Sequence, residues 1–122
     1  MAEDEVKKIA EKLKGKKAKT KSLKTTPEGT KSIKLPKDVA KGLGDAFGAD
    51  LSKVRVHTGG NAAEICKEMG AKAFAMGNDL FMAKPADAKN NKLLAHELTH
   101  VIQQAGGKKM PKRQEGKASV SK

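Results

Sequence analysis

Two histidines and a glutamate lie at a spacing that suits a metal ion. The stretch His96-Glu97-Leu98-Thr99-His100 follows the HExxH pattern. At about 100° per residue, the two histidines are about 40° apart on one helical face, so both imidazoles can reach one ion. Glu97 falls about 60° beyond His100, where its carboxylate can contact a metal-bound water. The pattern predicts Zn²⁺ as the cofactor, with His96 and His100 as ligands and Glu97 as the general base of a hydrolase.

The alternative to this interpretation is a solvated helix whose histidines bind nothing. The chain has three histidines and eight glutamates among its 122 residues, so a chance HExxH match is rare and we favour metal binding. Catalysis is a separate question, because a domain can keep its metal ligands without turning over a substrate.

A catalytic zinc site needs a third protein ligand. Downstream of the motif the chain has no further histidine and no aspartate. The remaining histidine is His57, on a predicted strand upstream of the motif, and we predict that it joins the other two on the ion. The competing interpretation is a histidine that hydrogen-bonds a neighbouring loop, and both stay open. Glu64 and Asp79 are the alternative oxygen ligands.

The histidines require a rigid helix that packs on the rest of the fold. On the face opposite the ligands, apolar residues recur at i, i+4, i+7 and i+11: Leu94, Leu98, Val101 and Ala105. This stripe predicts a helix from about Asn91 to Ala105, packed on a sheet, that stops at Gly106-Gly107.

The preceding segments predict the sheet and two more helices. A short helix follows Pro36, and a strand follows at 51–57, with Val54 and Val56 on one face and His57 on the other. Asn61 opens a helix that ends at Gly70, and segments 71–76 and 80–83 form a hairpin. The predicted fold class is α+β, in the order α-β-α-β-β-α, with the HExxH helix on a short mixed or antiparallel sheet.

Charge separates this core from the two ends of the chain. The net charge is +12. Residues 1–34 hold eleven basic and five acidic residues, residues 35–104 hold nine and eight, and residues 105–122 hold six and one. We therefore predict a domain at 35–107, between a basic, largely disordered segment at 1–34 and a basic, disordered tail at 108–122. With no Trp or Tyr and a neutral core, specific nucleic-acid binding is not expected.

The single cysteine and the hydropathy pattern limit the remaining classes. One cysteine, Cys66, excludes an intrachain disulfide, and its apolar helical surroundings favour a buried, inert thiol. We find no run of about 20 apolar residues and no signal-peptide core, so we expect no membrane span. The expectation is synthesis in the cytoplasm, with any export following a route other than the general secretory signal.

Several separated stretches resemble one bacterial domain family. They are Phe47–Thr58, Gly70–Phe74, Gly77–Asp79 and Leu93–Gln104, the last reading LLAHELTHVIQQ. The family is similar to zincin metallopeptidases and is frequently encoded with extracellular contractile injection systems, which are phage-tail-like particles that deliver toxins. The resemblance covers residues 35–106 or so, and it implies a small zincin-like fold.

The resemblance also implies roles for particular residues. It assigns His96 and His100 to the metal, Glu97 to the base and His57 to the other histidine of the family. It further implies that a pair of amides supports the site from outside the coordination shell, namely Gln103 and Gln104. Two positions depart from the family, since Ala75 and Phe81 stand where a Thr and a Tyr are common.

The expected function is therefore a zinc-dependent metallopeptidase linked to a contractile injection system. The expected partners are a protein or peptide substrate and the components or effectors of the injection particle, with export as its cargo. The alternative is a non-catalytic, zinc-stabilised adaptor or cargo-loading module of that system. The sequence indicates neither the cleavage site nor the oligomeric state.

Overall fold

The computed structural model describes residues 8, 9, 11, 19–104 and 116–121. These residues form three α-helices of eight or more residues and six strands. The helices are α1 (Lys37–Phe47), α2 (Ala62–Met69) and α3 (Asn91–Gln104). The strands are β1 (Lys19–Ser22), β2 (Thr30–Lys34), β3 (Arg55–Gly59), β4 (Ala73–Met76), β5 (Asp79–Met82) and β6 (Lys117–Ser121). A 3₁₀ turn at Pro85–Lys89 leads into α3.

The strands form one mixed sheet in the order β1-β6-β4-β5-β3-β2. Only the β3–β5 pair is parallel, and the other four pairs are antiparallel. The two-residue turn Gly77-Asn78 joins β4 to β5, at the hairpin that the sequence predicts. The α+β class is thereby confirmed: the domain combines three helices with a mixed six-stranded sheet.

The two faces of the sheet bury two separate hydrophobic clusters. Successive side chains of a strand point to opposite faces. In β4, Ala73 and Ala75 contribute to a first cluster, whereas Phe74 and Met76 contribute to a second. The first cluster includes the buried residues of α1 and α3, and the second includes those of α2. Helix α3 therefore covers one face of the sheet and α2 covers the other.

The structure differs from the sequence-based expectation at both ends of the chain. Segment 1–34, predicted to be largely disordered, contributes β1 and β2, and the tail 108–122, predicted to be disordered, contributes β6. For residues 1–7, 10, 12–18, 108–115 and 122 the prediction falls outside the described residues. Strand β6 lies between β1 and β4, so its backbone is paired on both sides. Its Ala118 and Val120 are buried in the α2 cluster. Backbone pairing together with burial of these small apolar side chains offsets the cost of ordering a lysine-rich segment.

A close backbone approach fixes the segment before β2 against the turn before α2. The Asn61 side chain accepts a hydrogen bond from the Glu28 N–H at 2.7 Å and donates one to the Thr26 carbonyl at 2.9 Å. Gly60 has a positive φ of 53°, and a Cβ there would overlap the Glu28 carbonyl oxygen. Asn61 occupies the N-cap position, as predicted, but its side chain bonds this segment and not the helix.

Candidate metal centre

Helix α3 is anchored by its apolar face and by a cap at its first turn. The Asn90 side chain accepts a hydrogen bond from the Leu93 N–H at 3.2 Å, which satisfies a donor that has no partner within the helix. Five residues of α3 are almost completely buried in the first cluster: Leu94, Ala95, Leu98, Val101 and Ile102. This packing fixes the rotation of the helix about its axis and therefore the direction of its polar face.

The imidazoles of His96 and His100 converge on that polar face. Their Nε2 atoms lie 3.2 Å apart, and the rings meet edge to face with centroids 4.7 Å apart. Two nitrogens that bind one zinc ion at about 2.0–2.1 Å with a tetrahedral angle are roughly 3.3 Å apart. Both side chains are half-buried, so they remain accessible from outside the core. The spacing fits two ligands of one metal ion, and it is also the length of a hydrogen bond between the two rings.

Glu97 lies between the two histidines in sequence and is almost completely buried, with 2% of its surface exposed. A carboxylate is rarely buried to this extent without a charge partner or a functional role.

The charge of Glu97 affects Cys66 on α2. Burial is the larger cause and the negative charge of Glu97 the smaller one, and together they raise the pKa of the Cys66 thiol to about 11. Cys66 is buried and protonated at neutral pH, in keeping with the inert thiol predicted for it.

Gln103 lies three residues after His100 on the same helix and is also buried, with 9% of its surface exposed. Its Oε1 atom is shielded from solvent and has no hydrogen-bond partner among the described residues. A buried acceptor left unsatisfied costs about 1–3 kcal/mol, so an ion or another donor is expected there. Gln104 ends α3, and its side chain lies outside the described part of the chain.

The structure does not bring His57 to this pair. His57 stacks on Phe81, with ring centroids 4.6 Å apart, and Phe81 belongs to the α2 cluster. Its neighbour Val56 belongs to the cluster on the α3 side. The His57 ring therefore faces α2, on the side of the sheet away from α3. Its place in a metal shell stays a sequence-based prediction that the described geometry does not support.

His57 has protein partners on both ring nitrogens. Its Nε2 lies 2.9 Å from Oδ1 of Asp79, and its Nδ1 lies 3.2 Å from Oγ1 of Thr30. Asp79, an alternative ligand by sequence, is thus engaged with His57, and Glu64, the other alternative, is exposed on α2. Sequence reasoning missed the Asp79 contact because it depends on the parallel β3–β5 pairing, which has no local signal.

The described residues supply only part of a metal shell made from the usual ligands. Among residues 8, 9, 11, 19–104 and 116–121, no group of three or more His, Cys, Asp or Glu side chains is placed to hold an ion. Two observations nevertheless fit a metal on α3: the spacing of the His96 and His100 nitrogens, and the unsatisfied buried oxygen of Gln103. In the sequence, the HExxH spacing indicates the two histidines, and the family resemblance indicates Gln103 as a supporting residue.

No helix among the described residues has the length and apolar character needed to cross a membrane.

Comparison with known proteins connects this domain to a family. No curated protein matches the chain, and no solved structure matches it. The family model of the eCIS core domain matches residues 34–108, which is more than half of the 122 residues. The matched residues include α1, α2 and all of α3. The chain therefore belongs to the eCIS core domain family, which ties it to the extracellular contractile injection systems.

Proposed function

We propose that this chain is a zinc-dependent metallopeptidase domain of a contractile injection system, with zinc bound by His96 and His100. The observation that carries the proposal is the 3.2 Å separation of the two Nε2 atoms on a half-buried face of a well-anchored helix. The membership in the eCIS core family supports the setting but not the chemistry.

Glu97 is the general base of the proposed reaction. When bound, zinc polarises the scissile carbonyl and makes water acidic enough to be deprotonated near neutral pH. The Glu97 carboxylate accepts the proton of the attacking water and delivers it to the leaving amine nitrogen. Its burial supports this role, because a charge shielded from solvent acts more strongly on a nearby reacting group than an exposed one does.

The substrate that we propose is a protein or peptide of the injection apparatus. Components of the particle, or effectors loaded into it, would be present with the domain, and the domain itself would travel as cargo. The family membership links the chain to such systems and leaves the identity of the substrate to experiment.

A second candidate is a non-catalytic module in which zinc stabilises the fold and the domain serves as an adaptor for loading. The observation in its favour is that the described His, Cys, Asp and Glu residues do not complete a three-ligand site. A small domain has a modest core, so a bound ion would add materially to its stability.

Metal analysis and one substitution separate these candidates. We expect protein purified without chelator to contain one zinc per chain, and Glu97→Gln to keep the metal while losing cleavage of fluorescently labelled casein. The matched control is Glu68→Gln on α2, an exposed position at which zinc content and cleavage should both be unchanged.

Each outcome of this experiment has a distinct meaning. Cleavage that persists in Glu97→Gln contradicts the proposed base. Zinc bound by a wild-type protein that cleaves neither casein nor itself favours the adaptor. A protein that cannot be loaded with zinc contradicts both candidates.

A further inference from the structure

Gln103 lies on the same side of α3 as the two histidines. It follows His100 by three residues and His96 by seven, which places all three within about 60° around the helix axis. Residues at i and i+3 have Cβ atoms about 5–6 Å apart, and long helical side chains lean towards the N-terminus of the helix. A glutamine at this position therefore leans towards the face on which the imidazoles converge.

The Gln103 amide combines burial with an unused acceptor. Its side chain is 9% exposed, and among the described residues its Oε1 atom has no hydrogen-bond donor. By comparison, the neighbouring buried polar residue Thr99 is satisfied, since its hydroxyl donates to the Ala95 carbonyl at 2.7 Å. The oxygen of Gln103 is thus an acceptor without a donor among the described residues, one turn from a histidine pair to which the described His, Cys, Asp and Glu side chains add no third ligand.

We propose that Oε1 of Gln103 is the third protein ligand of the metal ion on α3. This inference rests on the proposed zinc site and deepens it. A catalytic zinc site requires three protein ligands, and the described His, Cys, Asp and Glu side chains provide no such set. An amide oxygen supplies a lone pair without a charge, so the ligand set His96, His100 and Gln103 is neutral and leaves the full charge of the ion to act on a substrate.

The inference differs from the supporting role that the family resemblance implies for Gln103. A supporting amide would accept, through its oxygen, the ring N–H of a histidine that binds the metal through Nε2. Among the described residues Oε1 accepts no such hydrogen bond, which leaves the oxygen available to the ion. The two roles differ in what a change at this position does to the cobalt spectrum, because only a ligand belongs to the coordination shell.

The test measures metal binding and does not depend on activity. The dissociation constant for zinc is determined by competition with a chromogenic chelator, and the visible spectrum of the cobalt(II)-loaded protein reports the coordination shell. We expect Gln103→Met, which retains the length and removes the oxygen, to weaken zinc binding at least tenfold and to change the cobalt spectrum. We expect Gln103→Glu to bind zinc at least as tightly as wild type, with a shifted cobalt spectrum. Lys92→Met is the matched control, at an exposed position in the first turn of the same helix, and should behave as wild type.

The outcomes separate this inference from the proposed function. If wild type binds zinc, His96→Ala abolishes binding and Gln103→Met binds as wild type does, Gln103 is not a ligand and the zinc site stands. If wild type binds no zinc, both proposals fail. Should Gln103→Met not fold, as judged by circular dichroism in chelator, Gln103→Glu decides: weakened zinc binding or an unchanged cobalt spectrum overturns the inference.

Discussion

The Nε2 atom of His57 lies 2.9 Å from the Oδ1 atom of Asp79, across the parallel pair β3–β5. The other ring nitrogen contacts Thr30 on β2, so one imidazole connects three adjacent strands on the α2 side of the sheet. This arrangement gives His57 a structural role that is independent of a metal on α3.

We predict that His57→Ala lowers the free energy of unfolding by about 1–3 kcal/mol, because it removes two hydrogen bonds and a ring stack on Phe81. Zinc affinity should be unchanged. Chemical denaturation and zinc titration measure the two effects, with His96→Ala as the control that loses zinc. A loss of zinc affinity in His57→Ala as large as that in His96→Ala would instead place His57 in the metal shell, as the sequence predicts.

The buried thiol of Cys66 is expected to lower the stability of the fold at alkaline pH. Burial, and secondarily the charge of Glu97, raise the pKa of the Cys66 thiol from 9.0 to about 11. The folded protein therefore keeps a proton that the unfolded chain releases above pH 9. The stability that the protonated Cys66 thiol contributes is fully present below pH 9 and is lost as the pH rises through about 11.

We predict that the free energy of unfolding falls more steeply between pH 9 and pH 11 in wild type than in Cys66→Ala. The comparison removes the effect of the lysines, which both proteins share. Glu97→Gln should lower the pKa of the thiol, measured by the ultraviolet absorbance of the thiolate. Equal slopes in wild type and Cys66→Ala would show that the thiol does not titrate differently in the folded protein.

Gly60 and Gly59 are matched positions for testing the close approach before α2. Both have a positive φ, 53° and 77°, so alanine is strained at either position. Only at Gly60 would a Cβ overlap the Glu28 backbone, whereas nothing lies within 4 Å at Gly59. We predict that Gly60→Ala costs at least about 2 kcal/mol more than Gly59→Ala in urea denaturation. Equal costs would mean that the 26–29 segment does not pack on this turn.

Strand β6 can be tested by placing a charge on its buried side. Val120 is 5% exposed and pairs with Phe74 in β4, whereas Lys117 in the same strand is exposed. We predict that Val120→Asp destabilises the protein by about 3 kcal/mol or more, because it buries an unpaired carboxylate, and that Lys117→Asp changes stability by less than about 0.5 kcal/mol. Chemical denaturation measures both. Equal, small effects would support the disordered tail that the sequence predicts.

The elements that sequence reasoning located are those with local signals. The apolar stripe predicts a helix from about Asn91 to Ala105, and the structure has α3 at Asn91–Gln104. The turn at Gly77-Asn78 predicts the β4–β5 hairpin, whose strands are adjacent in sequence. In both cases the information lies within about 15 residues, so a single sequence is sufficient.

The remaining strands and the position of His57 depend on distant partners. Strand β1 pairs with β6 almost a hundred residues away, and both strands lie in basic, lysine-containing segments whose composition gives no signal for the pairing. The sequence does place His57 on the strand face opposite Val54 and Val56. Which face α3 would cover depends on how the chain crosses the sheet, and α3 covers the Val56 face. The convergence of three histidines was therefore not decidable from periodicity.

The position of β6 has a consequence for the order in which the chain folds. Its neighbours are β1, from near the start of the sequence, and β4, from the middle. During synthesis, β1 emerges early, yet in the described structure it pairs with no strand other than β6. The helix that carries the histidine pair can form and pack on β4 and β5 before that strand emerges. Strand β1 can thus pair with β6 only after β6 has been synthesised, at a point when the candidate metal centre on α3 can already be assembled.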